Sequence, residues 1–284
     1  MKKSFKVSYD VCTFCNHQCS FCSNADPRTL KAKTSKEEFE HVMDNLCKSI
    51  DIHSLSLSAK GEVLLNRDLE AIIMLAKQKY AIEYVYCSTN GSLLDAKRIE
   101  TLVKSGIDSI KFSINALDKE SYAKIHLKDD FNKVIENLRM LLEMKRALQS
   151  PLKVFISVVS DMPKSFFEEG FLELLGDLFR EVNTIFTYAL QYTPKSEVSA
   201  TAVVDAKNCL INPFGEIYIN SDGSLGFCCK DYFDTINFGS LLENDFLTLY
   251  EAKEYTQMRE RFIENRFEEG SLCYNCLLFE GLKK

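Results

Sequence analysis

The chain holds 284 residues, of which 46% are apolar and 27% charged, with a formal net charge of −6. That length suits one large domain, or a medium domain with a smaller appendage, and the composition is globular rather than disordered or fibrous. Lysines and arginines scattered under a negative total leave no basic footprint for nucleic acid. No signal-like run opens the chain and no apolar stretch reaches membrane-spanning length, so the expectation is a cytoplasmic protein.

Residues 5–11 alternate as a strand and lead into a loop dense in cysteine. Ser35 and Glu38 stand at capping-box offset and predict a helix to about Ser49. A short strand over 54–58, a helix near 68–79, a strand over 83–87 and a helix over 95–105 closed by Gly106 come next. A fourth strand spans 109–114, with helical pattern over 119–126 and 131–148. Residues 153–159 and 184–191 read as two more strands with a helix over 164–181 between them. At least six alternations argue an α/β fold with a parallel sheet covered by helices. Polar residues at the C-terminal ends of successive strands favour a barrel, whole or partial, over a doubly wound sheet. Past Pro194 a Ser/Thr/Ala-rich connector gives way to a β-hairpin over 216–227, a helix over 245–264, and Cys273-Tyr-Asn-Cys276.

Eleven cysteines without a secretory signal, and odd in number, do not read as a disulfide framework. Four lie within 12–22 and five within 209–276, which favours two metal sites; Cys47 and Cys87 read as core thiols. Cys15, Cys19 and Cys22 can hold one iron–sulfur cluster from a single loop. Three thiolates where four are usual leave one iron open for chemistry. The competing reading is structural zinc closed by Cys12 as a fourth ligand.

The pattern Cys15-x3-Cys19-x-Phe21-Cys22 after the first strand resembles the radical S-adenosylmethionine (radical SAM) enzymes. The resemblance implies a 4Fe-4S cluster whose open iron binds S-adenosylmethionine, and a 5′-deoxyadenosyl radical formed by one-electron cleavage of that cofactor. Gly61-Glu62 looks like the family's Gly-Gly-Glu motif with Lys60 in place of the first glycine. Asn90, Ser113 and Asn115 sit where the family binds the cofactor, Asn115 replacing the usual acid. Asn90 and Gly91 are also an ordinary turn pair. By resemblance Gly61, Glu62, Asn90, Ser113 and Asn115 are the cofactor-binding set, with Gly61 permitting close backbone approach.

Cys209, Cys228, Cys273 and Cys276 resemble the C-terminal auxiliary-cluster extensions of that family, called SPASM and, when shorter, twitch. The resemblance implies a second 4Fe-4S cluster with four protein ligands. Cys229 competes with Cys228, because alternation lets only one of two neighbours face a cluster. A zinc ribbon is the plainer alternative. His17 reads as a solvated loop histidine, His126 as structural, and Asp231 as a loop carboxylate that could take a proton.

The expected architecture is a partial (β/α)6 TIM-like barrel over residues 1–195. A small β-hairpin-plus-helix cluster-binding domain is expected over 196–284. The resemblance implies hydrogen-atom abstraction from a substrate C–H bond. Net oxidation would then use the auxiliary cluster as electron acceptor, with an external donor such as flavodoxin or ferredoxin. The first strand begins close to the N-terminus, which leaves no room there for a leader-peptide domain and favours a small polar substrate such as a sugar or aminocyclitol. The alternatives are a peptide or protein maturase, a sugar epimerase or deoxygenase, and a non-enzymatic zinc-binding interaction protein. No catalytic acid or base is singled out.

Overall fold

The computed structural model describes residues 2–57, 60–188, 204–209 and 214–282. Six parallel strands run in sequence order across one sheet: β1 (Lys3–Tyr9), β2 (Ile50–Ser56), β3 (Tyr84–Thr89), β4 (Ser109–Ser113), β5 (Lys153–Val159) and β6 (Val182–Tyr188). Helices connect them: α1 (Lys36–Ser49), α2 (Leu69–Gln78), α3 (Ala96–Lys104), the pair α4 (Lys119–His126) and α5 (Phe131–Ala147), and α6 (Lys164–Leu175). This is the α/β partial barrel expected from the alternation. The Ser35–Glu38 capping box forms at the start of α1, and Gly106 takes a φ of +84° after α3.

Two expected helices differ. The one over 164–181 ends at Leu175, because Gly176 turns to positive φ and a 3-10 turn follows. The one over 245–264 is two helices, α7 (Phe246–Tyr250) and α8 (Lys253–Ile263), with extended backbone at Ala252 between them. Cys273 and Cys276 ride on α9 (Leu272–Gly281). Residues 58 and 189–191 of the expected strands, and the 195/196 domain boundary, lie outside the described residues.

The hairpin of β7 (Glu216–Ile219) and β8 (Leu225–Gly226) joins the barrel sheet. β7 pairs in parallel with β1, so the order ends β2-β1-β7-β8. Buried Asn45 on α1 pins the following segment, donating to the Leu241 and Asn244 carbonyls at 2.8 and 2.7 Å and accepting from Phe246 N.

Strand alternation sorts the two faces of the sheet. Val7, Val85, Ile110, Phe112 and Ile156 point outward and are wholly buried beneath the helices. Lys6, Ser8, Ser56, Tyr86, Lys111 and Ser157 point inward and line a cavity. Small hydroxyl side chains in place of the bulky branched residues that fill a closed barrel leave the lumen hollow.

Candidate active site

The cavity measures about 550 Å³ and reaches from the barrel interior to the cysteine loop. Cys15, Cys19 and Cys22 all line it. The loop is held from within: Asn24 Nδ2 donates to the carbonyls of Thr13 at 2.7 Å and Lys60 at 2.8 Å, and Cys22 N donates to Cys19 O. Cys15 Sγ accepts from His17 N, a contact that favours its thiolate, and Cys22 Sγ accepts from Asn24 N. Burial, reinforced by the neighbouring thiols, pushes Cys15 up to about 11 and Cys19 up to about 12. No disulfide joins any of the eleven cysteines. Cys15 and Cys19 thus resist deprotonation on their own, and three converging thiols are a donor set for a cationic metal group, which makes thiolate the favoured form. Cys12 stands apart: it is buried, its Sγ points at the Phe14 carbonyl, and it does not line the cavity.

Gly61 touches the loop itself. A Cβ there would lie 2.3 Å from Cys12 O and 2.6 Å from Phe14 O, and Glu62 N donates to Phe14 O at 2.8 Å. The close approach expected of this glycine is therefore to the cysteine loop backbone. Glu62 is buried and accepts from Thr89 Oγ1 and Asn90 N at 2.6 Å each and from Leu64 N at 3.0 Å. Burial pushes its carboxyl above the ordinary range, while these hydrogen bonds oppose the shift. Thr89 was not singled out in the sequence, although it adjoins Asn90.

Asn90 lines the cavity and also builds a turn, its Oδ1 accepting from Ser92 N and Ser92 Oγ. The turn reading of that residue is borne out, and the turn leaves it facing the cavity. Its Nδ2 donates to Asn16 of the cysteine loop. Ser113 Oγ lies 3.3 Å from Ser157 Oγ, and Asn115 Oδ1 accepts from Val159 N at 2.8 Å, tying β4 to β5. The structure thus brings all five expected cofactor residues to the wall that carries the three cysteines.

His17 is not solvated. Its ring is buried, pairs with Asp130 at 3.0 Å and meets His126 edge-on. The loop folds back over α4, so a histidine between two cysteines ends up inside. His126 Nδ1 lies 3.5 Å from Cys19 Sγ and its Nε2 faces Asn115; burial, then His17, lowers it to about 3. Asp231 is buried too and holds a turn, accepting from Ile236 N and Thr235 Oγ1 away from the cavity lining.

Lys60, where the family motif has glycine, is buried. It pairs with Asp234 beyond the hairpin and lies 3.5 Å from Asn220 Oδ1. Asp10 at the end of β1 is wholly buried; burial pushes it up to about 7, and the Lys60 charge and the backbone of Lys60 and Cys12 oppose that rise.

The second group of thiols also converges. Cys273 neighbours Cys276 and Cys209, and Cys276 neighbours Cys209 and Cys229. Burial pushes Cys273 and Cys276 each up to about 12. A Cys228–Cys229 hydrogen bond raises Cys228 and lowers Cys229 to about 7. Cys209, Cys228 and Cys273 pack on the hydrophobic core, whereas Cys229 lines the barrel cavity.

Comparison with known proteins matches residues 9–161 to the Radical SAM superfamily and residues 209–277 to an iron–sulfur cluster-binding domain, SPASM. A GTP 3′,8-cyclase of Chlorobaculum tepidum is 29% identical over 136 residues, 48% of this chain and 40% of that protein. The chain therefore matches less than half the length of that curated relative. The crystal structure of BtrN in complex with AdoMet and 2-DOIA has a TM-score of 0.63 at 16% identity, covering 97% of this chain and 94% of that one. Streptococcus suis SuiB bound to precursor peptide SuiA has a TM-score of 0.66 at 14% identity, covering 99% and 71%. Both share the fold. No described helix is long and apolar enough to cross a membrane. With the superfamily match spanning more than half the sequence, the chain belongs to the radical SAM superfamily, carries a SPASM-type domain, and has a 4Fe-4S cluster, an auxiliary cluster and S-adenosylmethionine as its cofactors.

Proposed function

We propose that this protein abstracts a hydrogen atom from a C–H bond of a small polar substrate held in the barrel lumen, and oxidises that substrate by two electrons. Cys15, Cys19 and Cys22 hold the catalytic cluster, and Cys209, Cys228, Cys273 and Cys276 the auxiliary one. The cluster and cofactor together supply the 5′-deoxyadenosyl radical, and the auxiliary cluster supplies an acceptor for the remaining electron. Glu62, buried at the cavity wall and oriented by Thr89 and Asn90, would hold the cofactor's amino group. Asn90, Ser113 and Asn115 complete the cofactor wall, and Gly61 keeps it against the cysteine loop.

The observation that carries this reading is the single cavity lined at once by the three-cysteine loop, the inward faces of the strands and Cys229 of the C-terminal segment. Its volume falls in the range of small-molecule sites, and its serine hydroxyls suit a polar occupant. The similarity to BtrN, solved with AdoMet and 2-DOIA, supports the small-substrate reading. SuiB, solved with a precursor peptide, is matched over only 71% of its length and keeps a peptide substrate as the second reading.

The test is to incubate reduced, reconstituted protein and S-adenosylmethionine with deuterated sugars, aminocyclitols and short peptides. Label should pass from a small polyol or amino alcohol into 5′-deoxyadenosine, with one oxidised product formed per cofactor cleaved. Label arriving only from peptides would overturn the small-substrate reading.

A further inference from the structure

Charged side chains that line the cavity mostly have their counter-charge within the fold. Lys6 pairs with Glu216 at 3.0 Å, and Glu216 also accepts from Ser8 Oγ. Lys60 pairs with Asp234. Lys111 differs. It lies on β4 two residues before Ser113, on the same inward face, about 7 Å further from the strand's C-terminal end. Among the described residues its ammonium meets no hydrogen-bond acceptor and no carboxylate. Its nearest aromatic partner is the Tyr188 ring at 5.7 Å, near the outer limit of a useful cation–π contact.

The surroundings disfavour the charge this side chain carries. Burial, then repulsion by Lys6, lowers its pKa from the ordinary lysine value. A lysine of this kind would normally snorkel to solvent or find an anion. Its strand neighbours in register are Ser88 and Phe155, and the open space before it is the cavity. Since no described residue supplies the counter-charge, an occupant of the cavity is the source of negative charge that the described structure leaves open.

We infer that the substrate bears an oxyanion group, carboxylate or phosphoryl, which pairs with Lys111. This rests on the function proposed above and narrows its substrate class from polar to anionic. Lys111 lies below the strand-end residues assigned to the cofactor, so its partner is the molecule deeper in the lumen. One fixed cation also orients that molecule, since the anionic end is drawn toward Lys111 and the remainder is left facing the cysteine loop.

The experiment is a titration of reconstituted protein carrying ¹³C-dimethylated lysines and saturated with S-adenosylmethionine. The Lys111 resonance is assigned by its loss in Lys111→Arg, a variant that keeps the charge. Inorganic phosphate and acetate are the two probes. The Lys111 signal is expected to shift and saturate at a concentration at least tenfold below that needed for an exposed lysine such as Lys128. A response to phosphate alone supports a phosphoryl substrate; a response to both supports a carboxylate. A Lys111 response no stronger than that of Lys128 overturns the inference. So does a shift produced by S-adenosylmethionine alone that abolishes the anion response, because Lys111 would then serve the cofactor. Formation of 5′-deoxyadenosine, measured on separate samples, reports on the enzyme reading independently.

Discussion

Gly61→Ala tests how the cofactor wall is joined to the cluster loop. The added methyl would meet three backbone atoms, Cys12 O at 2.3 Å, Phe14 O at 2.6 Å and Thr13 C at 2.7 Å, none of which can rotate away. Accommodation requires the loop and the Gly61–Glu62 segment to separate. Overpacking of that kind costs about 1–3 kcal/mol. Separation also breaks the Glu62 N to Phe14 O bond, adding about 0.5–1.5 kcal/mol. The total, about 1.5–4.5 kcal/mol, corresponds to a fall in Tm of roughly 3–8 °C for a protein of this size. Thermal unfolding followed by circular dichroism measures it, and iron analysis of the same samples should show the loop's cluster depleted. A variant melting within about 2 °C of the parent, with iron unchanged, would refute the close approach.

Replacing both Cys273 and Cys276 with alanine should remove about half of roughly eight irons, as expected for two four-iron clusters, and leave part of the uncoupled cofactor cleavage. Cys228→Ala should behave the same way and Cys229→Ala should keep full iron; the reverse pattern would exchange the two residues' roles. Lys60→Met leaves Asp10 and Asp234 buried without their cation and should cost about 3–5 kcal/mol by chemical denaturation, whereas an unchanged midpoint would mean the buried pair is not formed. The Asp10 carboxyl, raised by burial to about 7, binds its proton more tightly folded than unfolded. Its contribution is therefore present below about pH 4 and is lost as pH rises toward 7. Across that window the parent should lose up to about 1.4 kcal/mol per pH unit relative to Asp10→Asn, and parallel stability curves would contradict the assignment.

Much of the barrel was legible because its signals are local. The capping box at Ser35, the glycine stop at Gly106 and the alternation of β3 each lie within a few residues. The three-cysteine loop carried its own chemistry in its spacing. The residues that escaped are those whose partners are distant in sequence. Lys60 reads as a departure from a glycine motif until Asp234, 174 residues away, is seen to pair with it. His17 reads as a loop residue until Asp130 closes over it. The hairpin reads as part of a separate domain, yet its first strand continues the barrel sheet along β1, a pairing that no local pattern encodes. Lys111 is one polar residue in an alternating strand, and only the hollow lumen distinguishes it from a surface lysine.

Cofactor cleavage tests the central claim most directly. Anaerobically reconstituted protein, reduced with dithionite in the presence of S-adenosylmethionine, is quenched and its nucleosides are quantified. Formation of 5′-deoxyadenosine that is abolished in Cys19→Ala is the predicted result. Protein that carries its iron and binds S-adenosylmethionine yet releases no 5′-deoxyadenosine would contradict it.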